Sequence, residues 1–209
     1  MVLLLELFKG TGSYSKVAER MGLDIISVDM VEKFKPTILT NILDWDYTTI
    51  PIPDIITASP PCETFSILIT THKNKVRDYL GDMRPLTPKG ENGDRVLFKT
   101  LEIIKYFLEK NPKLKFAIEN PRGFMRKMPC MSEEPIKHRD NTWYSMYGMP
   151  YRKPTDFWSN IDGGLKLKVG KKKDEQKLTR HIEGMKLTDK YVIPAELCET
   201  ILTKLIENI

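Results

Sequence analysis

Two short stretches hold the residues best suited to chemistry. "SPPCETFS" (59–66) places Cys62 after two prolines at the end of an apolar run, and "ENPRG" (119–123) closes a second apolar run with Glu119. Each proline fixes its own φ, and Pro61 steers Pro60 away from the helical region, so the thiol is presented from a stiffened backbone. A thiolate beside a carboxylic acid suits addition to a pyrimidine ring carbon that is not itself nucleophilic. Attack on carbon 6 makes carbon 5 an enamine carbon, and an acid near ring nitrogen 3 neutralises the developing charge. Cys62 is then the nucleophile and Glu119 the acid. The other cysteines, Cys130 and Cys198, lie far off in sequence, with no Cys-x-x-Cys pair and no histidine at ligand spacing. That pattern indicates neither a zinc site nor a disulfide framework. Cys130 reads as a loop residue and Cys198 as a packing residue on the last helix.

A second constellation lies upstream. "LELFKGTGS" (5–13) runs from an apolar strand into Gly10 and Gly12, and Asp29 ends the next apolar run about twenty residues on, the spacing that grips a ribose. Ser13-Tyr14-Ser15 follows Gly12, so the third glycine of a dinucleotide fingerprint is missing. A cofactor with a ribose but no phosphate fits, and S-adenosyl-L-methionine is such a molecule. Phe8, Gly10 and Gly12 would line its methionine end, Asp29 would take the ribose hydroxyls and Met30 would pack on the adenine. Asn41 or Asp44 would reach the adenine amino group, with Thr11, Ile42 and Pro60 completing the expected set.

The elements that must position these groups follow from periodicity. Short apolar runs at Val2–Phe8, Asp24–Asp29, Ile38–Ile42, Asp54–Ser59 and Lys115–Asn120 alternate with amphipathic stretches at Ser13–Met21 and Asp94–Lys110. This is an α/β pattern with a mostly parallel sheet, whose ligands bind beyond the carboxyl ends of the strands. Cys62 and Glu119 then face one crevice. Residues 141–160 hold two aromatic arms around Gly-Met-Pro, which predicts an edge hairpin. Residues 161–192 form a short basic segment, and 193–209 a closing helix with Pro194 in its first turn. At 209 residues and 41% hydrophobic, the chain suits a single domain. No signal peptide or membrane span is legible, which predicts a soluble intracellular protein. The net charge of +5 is gathered in basic runs at 72–77, 122–127, 151–153 and 170–177, suited to a polyanion.

"LELFKGTGS", Asp29, "SPPCETFS", "ENPRG" and "YGMPYRK" stand in the order of the motifs of the DNA (cytosine-5) methyltransferases, and over residues 3–160 the chain resembles a compact member of that family, of the sort found in phages and large DNA viruses. The resemblance implies a Rossmann-like class I fold that uses S-adenosyl-L-methionine, with DNA as partner and a host cytoplasm or nucleus as its place if viral. It implies that Cys62 adds to cytosine, Glu119 contacts the base and Asn120 orders the catalytic loop. Two departures stand out: "YRKPT" has Thr155 where an arginine holding the base is expected, so that Arg152 or Lys153 must substitute, and Glu63 replaces a glutamine after the nucleophile. Residues 63–92 are expected to form a lid over the phosphate backbone. Ser66, Lys73, Lys75, Arg77, Arg122, Lys153, Lys171, Lys172 and Lys173 are the expected nucleic-acid contacts, and the short basic segment implies little or short sequence specificity. Three alternatives remain: RNA, as in tRNA methylation; an exocyclic-amino enzyme, whose Ser-Pro-Pro-aromatic turn Cys62 does not match; and an idle binding module of the same fold.

Overall fold

A computed structural model describes residues 1–67, 75–170, 189 and 191–209. Lys73, Lys171, Lys172 and Lys173 lie outside the described residues. Seven strands form one sheet: β1 (Leu3–Leu7), β2 (Asp24–Asp29), β3 (Ile38–Leu39), β4 (Ile55–Ala58), β5 (Lys115–Pro121), β6 (His138–Trp143) and β7 (Pro154–Ser159). Their order is β3-β2-β1-β4-β5-β7-β6. The first five pair in parallel, and β7 inserts antiparallel between β5 and β6. The expected edge hairpin is therefore present, and it extends the sheet beyond β5.

Side chains alternate across each strand, so two cores form. On one face Leu5, Leu7, Ile56, Phe116 and Ile118 pack with Leu97, Leu101, Ile104 and Phe107 of α2 (Pro88–Lys110). On the other, Leu4, Ile55, Ala117 and Phe157 meet Tyr14, Val17 and Ala18 of α1 (Ser13–Arg20) and Leu197, Ile201 and Leu205 of α3 (Ala195–Ile206). Each large apolar side chain removed from water contributes about 1.5–3 kcal/mol. Cys198 is fully buried in this second core. No helix among the described residues is long and apolar enough to cross a membrane.

Several strand and helix ends shift by a residue from expectation, and three differences have a local cause. β3 stops at Leu39, because Thr40 N bonds Asp29 O and the Asn41 side chain then turns the chain by accepting from Leu43 N at 3.1 Å. α2 begins at Pro88 instead of Asp94: Thr87 caps it, accepting from Gly90 N at 3.2 Å, and Pro88 takes the first turn, where its missing donor costs nothing. Pro194 is the N-cap of α3, one residue outside the turn expected to contain it.

Candidate active site

The cofactor-side cradle begins where β1 ends. Phe8 takes φ 61°, a left-handed conformation that bulky residues rarely adopt, and Gly10 follows at φ 50°. The chain thereby turns sharply, with Lys9 N bonded to Val28 O and Gly12 N to Lys9 O, before α1 starts. Asp29 locks the turn to the second strand: its Oδ2 accepts from Gly10 N and its Oδ1 from Val31 N, both at 2.8 Å. Each carboxylate oxygen keeps one further lone pair. Thr11 Oγ1 lies 3.2 Å from Ser13 Oγ, and Ser13 Oγ accepts from Ile193 N, tying the turn to the start of α3. Met30 is exposed, and Asp44 is an exposed acceptor, whereas the Asn41 carbonyl is already engaged with Leu43 N. Ile42 is buried and anchors this stretch in the core.

Glu6 supports the cradle from below. Its buried carboxylate accepts from Tyr14 N at 3.2 Å and Ser15 N at 3.1 Å and also contacts Ser15 Oγ, so it caps α1. Burial pushes its pKa from 4.5 up to about 7 against those hydrogen bonds and the charge of Lys9.

The second half of the site lies at the carboxyl ends of β4 and β5, which pair in parallel. Cys62 follows Pro60 and Pro61, and a turn closed by Phe65 N donating to Cys62 O at 3.0 Å comes after it. Asn120 Nδ2 donates to Pro60 O at 2.9 Å, joining the two strand ends, while its buried Oδ1 has no partner among the described residues. Glu119 is buried and accepts from Tyr144 Oη at 3.1 Å. Burial pushes the Glu119 carboxyl up, opposed by Lys153 and by hydrogen bonds from Tyr144 and Ser59. Burial also pushes the Cys62 thiol up, Glu119 adds to that, Lys153 counteracts it, and Glu63 adds slightly. Cys62, Glu119 and Lys153 thus lie within electrostatic reach of one another.

Of the two cations expected to stand in for the missing arginine, the structure brings Lys153 to the site. The Arg152 guanidinium lies over Trp143, 4.0 Å from the ring centroid, and the Lys153 ammonium lies 4.6 Å from the Tyr144 ring whose hydroxyl serves Glu119. Thr155 is buried and donates to Lys153 O at 3.1 Å, so it shapes the Lys153 backbone. Glu63 is turned to Lys89, with Nζ and Oε2 2.6 Å apart, which draws its charge away from the thiol. Lys75 and Arg122 are exposed and Ser66 is half-buried.

Arg77 requires a correction: expected to meet phosphates, it is fully buried and hydrogen-bonded to Thr64, Met83 and Gly90. The expected lid over 63–92 lies partly outside the described residues, at 68–74; in its described part α2 begins at Pro88 and residues 76–86 are held in a small antiparallel turn by Asp78 N to Arg84 O and Leu86 N to Val76 O. Sequence reasoning also missed Tyr191, whose phenol is close enough to Cys62 and Glu63 for their charges to oppose its ionisation after burial has done so. It missed Tyr144 as a donor to Glu119. The aromatic density of the hairpin was the available signal for Tyr144, but packing explains aromatic residues equally well.

The same fold recurs in known proteins. The chain is 34% identical over 168 residues to a probable DNA (cytosine-5)-methyltransferase of Frog virus 3 (isolate Goorha), covering 77% of this chain and 71% of that protein. Among solved structures, a putative DNA modification methyltransferase encoded within an E. coli prophage superposes with a TM-score of 0.51 at 16% identity, over 81% of this chain and 49% of that one. The S. pombe Dnmt2 methyltransferase gives 0.50 at 16%, over 86% and 59%. The chain thus spans about half to three-fifths of the solved structures it matches. No family model matches. The fold is the Rossmann-like fold of methyltransferases. The chain belongs to the DNA (cytosine-5) methyltransferase family.

Proposed function

We propose that the protein transfers a methyl group from S-adenosyl-L-methionine to carbon 5 of cytosine in DNA, through a covalent bond between Cys62 and carbon 6. The observation that carries this reading is the meeting of Cys62, Glu119 and Lys153 beyond adjacent strand ends. The residues of the cradle fit the cofactor: Asp29 keeps lone pairs for two ribose hydroxyls, a side chain at Gly10 would meet only Phe8 O at 3.8 Å, and Met30 and Asp44 offer an apolar face and an acceptor to the adenine. When bound, the cofactor supplies an electrophilic methyl group.

The protein's own groups do the rest. Cys62 gives up its proton to solvent and adds to carbon 6, while Glu119, whose carboxyl pKa burial pushes up, places a proton toward ring nitrogen 3. Lys153 eases ionisation of the thiol and stabilises negative charge on the base. Carbon 5 then takes the methyl group, and loss of its proton expels the thiolate again. Asn120 holds the Pro60 carbonyl, and through it the backbone that presents the thiol. The cytosine must leave the duplex to reach this site. Ser66, Lys75, Arg122 and Lys153 are the described residues offered to the strand. We read the protein as acting with little or short sequence specificity.

Replacing the nucleophile separates the two halves of the site. Cys62→Ala is expected to lose methyl transfer by at least about a thousandfold and to keep S-adenosyl-L-methionine binding by calorimetry unchanged. Methyl transfer retained in that variant would refute the covalent route.

A further inference from the structure

Arg77 has no solvent exposure and takes no part in the reaction proposed above. Its guanidinium nevertheless gathers three segments. Nε donates to Thr64 O at 2.9 Å, Nη1 to Met83 O at 3.2 Å, and Nη2 to Gly90 O at 3.0 Å and Thr64 Oγ1 at 3.2 Å. Nη2 also pairs with Asp94 at 2.6 Å, and the guanidinium carbon sits 4.3 Å from the Phe65 ring centroid. Thr64 and Phe65 belong to the turn that follows Cys62.

Two close backbone approaches clamp the same turn. A side chain at Gly93 of α2 would come 2.2 Å from Thr64 Oγ1, and one at Gly123 would come 2.4 Å from Phe65 O. Phe65 O also accepts from Phe124 N at 2.7 Å. The turn is thus gripped from α2 on one side and from the end of β5 on the other. Only a planar fork with several donors can satisfy Thr64, Met83, Gly90 and Asp94 at once, and a lysine ammonium cannot.

We propose that Arg77 is a positioning residue for the reaction: it locks the 62–65 turn so that the half-buried Cys62 thiol stays held beside Glu119. This rests on the reading of Cys62 as nucleophile. It turns a residue of the basic run 72–77 from a phosphate contact into an internal strut.

Arg77→Lys tests it, since the variant keeps a positive charge opposite Asp94 and loses the fork. Iodoacetamide alkylation of Cys62, in which an S–C bond forms and iodide leaves, is followed across pH by the mass of the Cys62 peptide, alongside thermal unfolding and methyl-transfer kinetics. The titratable groups within electrostatic reach of the thiol, Glu119, Lys153, Tyr191 and the Lys89-paired Glu63, are the same in both proteins, so a change reports the turn. In the variant the alkylation midpoint is expected to fall toward that of an ordinary thiol, and the neutral-pH rate to rise about tenfold for each unit of that fall. kcat is expected to drop at least about tenfold while KM for DNA stays within about threefold. A folded variant with the wild-type alkylation profile and kcat would overturn the proposal. If Arg77→Lys does not fold, Gly93→Ala brings a methyl group to 2.2 Å from Thr64 Oγ1 and 3.1 Å from Arg77 Nη2, wedging the guanidinium from the turn it holds. The same two shifts are expected, and their absence in that folded variant overturns the proposal. The alkylation profile needs no methyl transfer, so an inactive wild type would count against the proposed function and leave Arg77 to be decided by the profile.

Discussion

Lys153 is the residue on which the chemistry of the site turns. Its charge lowers the pKa of both Cys62 and Glu119, which burial raises. The reaction needs the thiol ionised and the acid protonated, so the rate passes through a maximum between two limbs as pH rises. The coupled pair titrates as a unit, and the kinetic limbs report the pair. Removing the ammonium raises both transitions. Lys153→Met is therefore expected to move the whole pH–rate profile to higher pH, with about a tenfold loss at neutral pH for each unit of displacement. Initial rates of methyl transfer from pH 6 to 10 measure this, and an undisplaced profile would remove Lys153 from the reaction. The sequence pointed to Arg152 and Lys153 together as substitutes for the missing arginine. Only side-chain placement separates them, because Arg152 stacks on Trp143 while Lys153 follows Tyr144 toward Glu119.

At the level of elements, the join between β1 and α1 carries a pH-dependent cost. Glu6 is buried with a pKa near 7 in place of 4.5, so between those values the folded state holds a proton that the unfolded chain has released. Its contribution to stability is therefore complete below about 4.5, declines as pH rises and is gone above about 7. Glu6→Gln removes this titration. The wild type is expected to lose about 2–3 kcal/mol relative to the variant between pH 4.5 and 8. Denaturant unfolding at several pH values measures the difference, and parallel stability curves would contradict it.

The strands carrying Phe8, Asp29, Cys62 and Glu119 were legible because continuous apolar runs ending in Gly, Pro or Asp mark buried parallel strands. The start of α2 was not. "TPKGENG" reads as loop by its glycines, yet Thr87 caps the helix and Gly90 and Gly93 let Val76 and Thr64 approach its backbone. Arg77 was misread for a related reason. A basic run on paper gives no sign of which member is drawn inward to Asp94, a pairing seventeen residues apart that only the packed turn creates.

The whole molecule sets its reactive crevice on one rim of a sheet buried on both faces. The hairpin edge is closed by the segment after β7: Thr142 Oγ1 donates to Lys168 O at 2.6 Å, Leu165 N donates to Asp140 Oδ2 at 2.8 Å, and Ile161, Leu165 and Leu167 join the second core. Lys168, within the short basic segment, pairs with Glu196 of α3. This part of the segment is structural. On that arrangement the central claim is a covalent bond at a single sulfur. The direct measurement is mass spectrometry of the protein incubated with S-adenosyl-L-methionine and a duplex containing 5-fluorocytosine, whose fluorine blocks the final loss from carbon 5. The account predicts a stable adduct carrying the transferred methyl group, mapped to the Cys62 peptide and absent from Cys62→Ala. Methylated product without any adduct, or an adduct at Cys130 or Cys198, would contradict it.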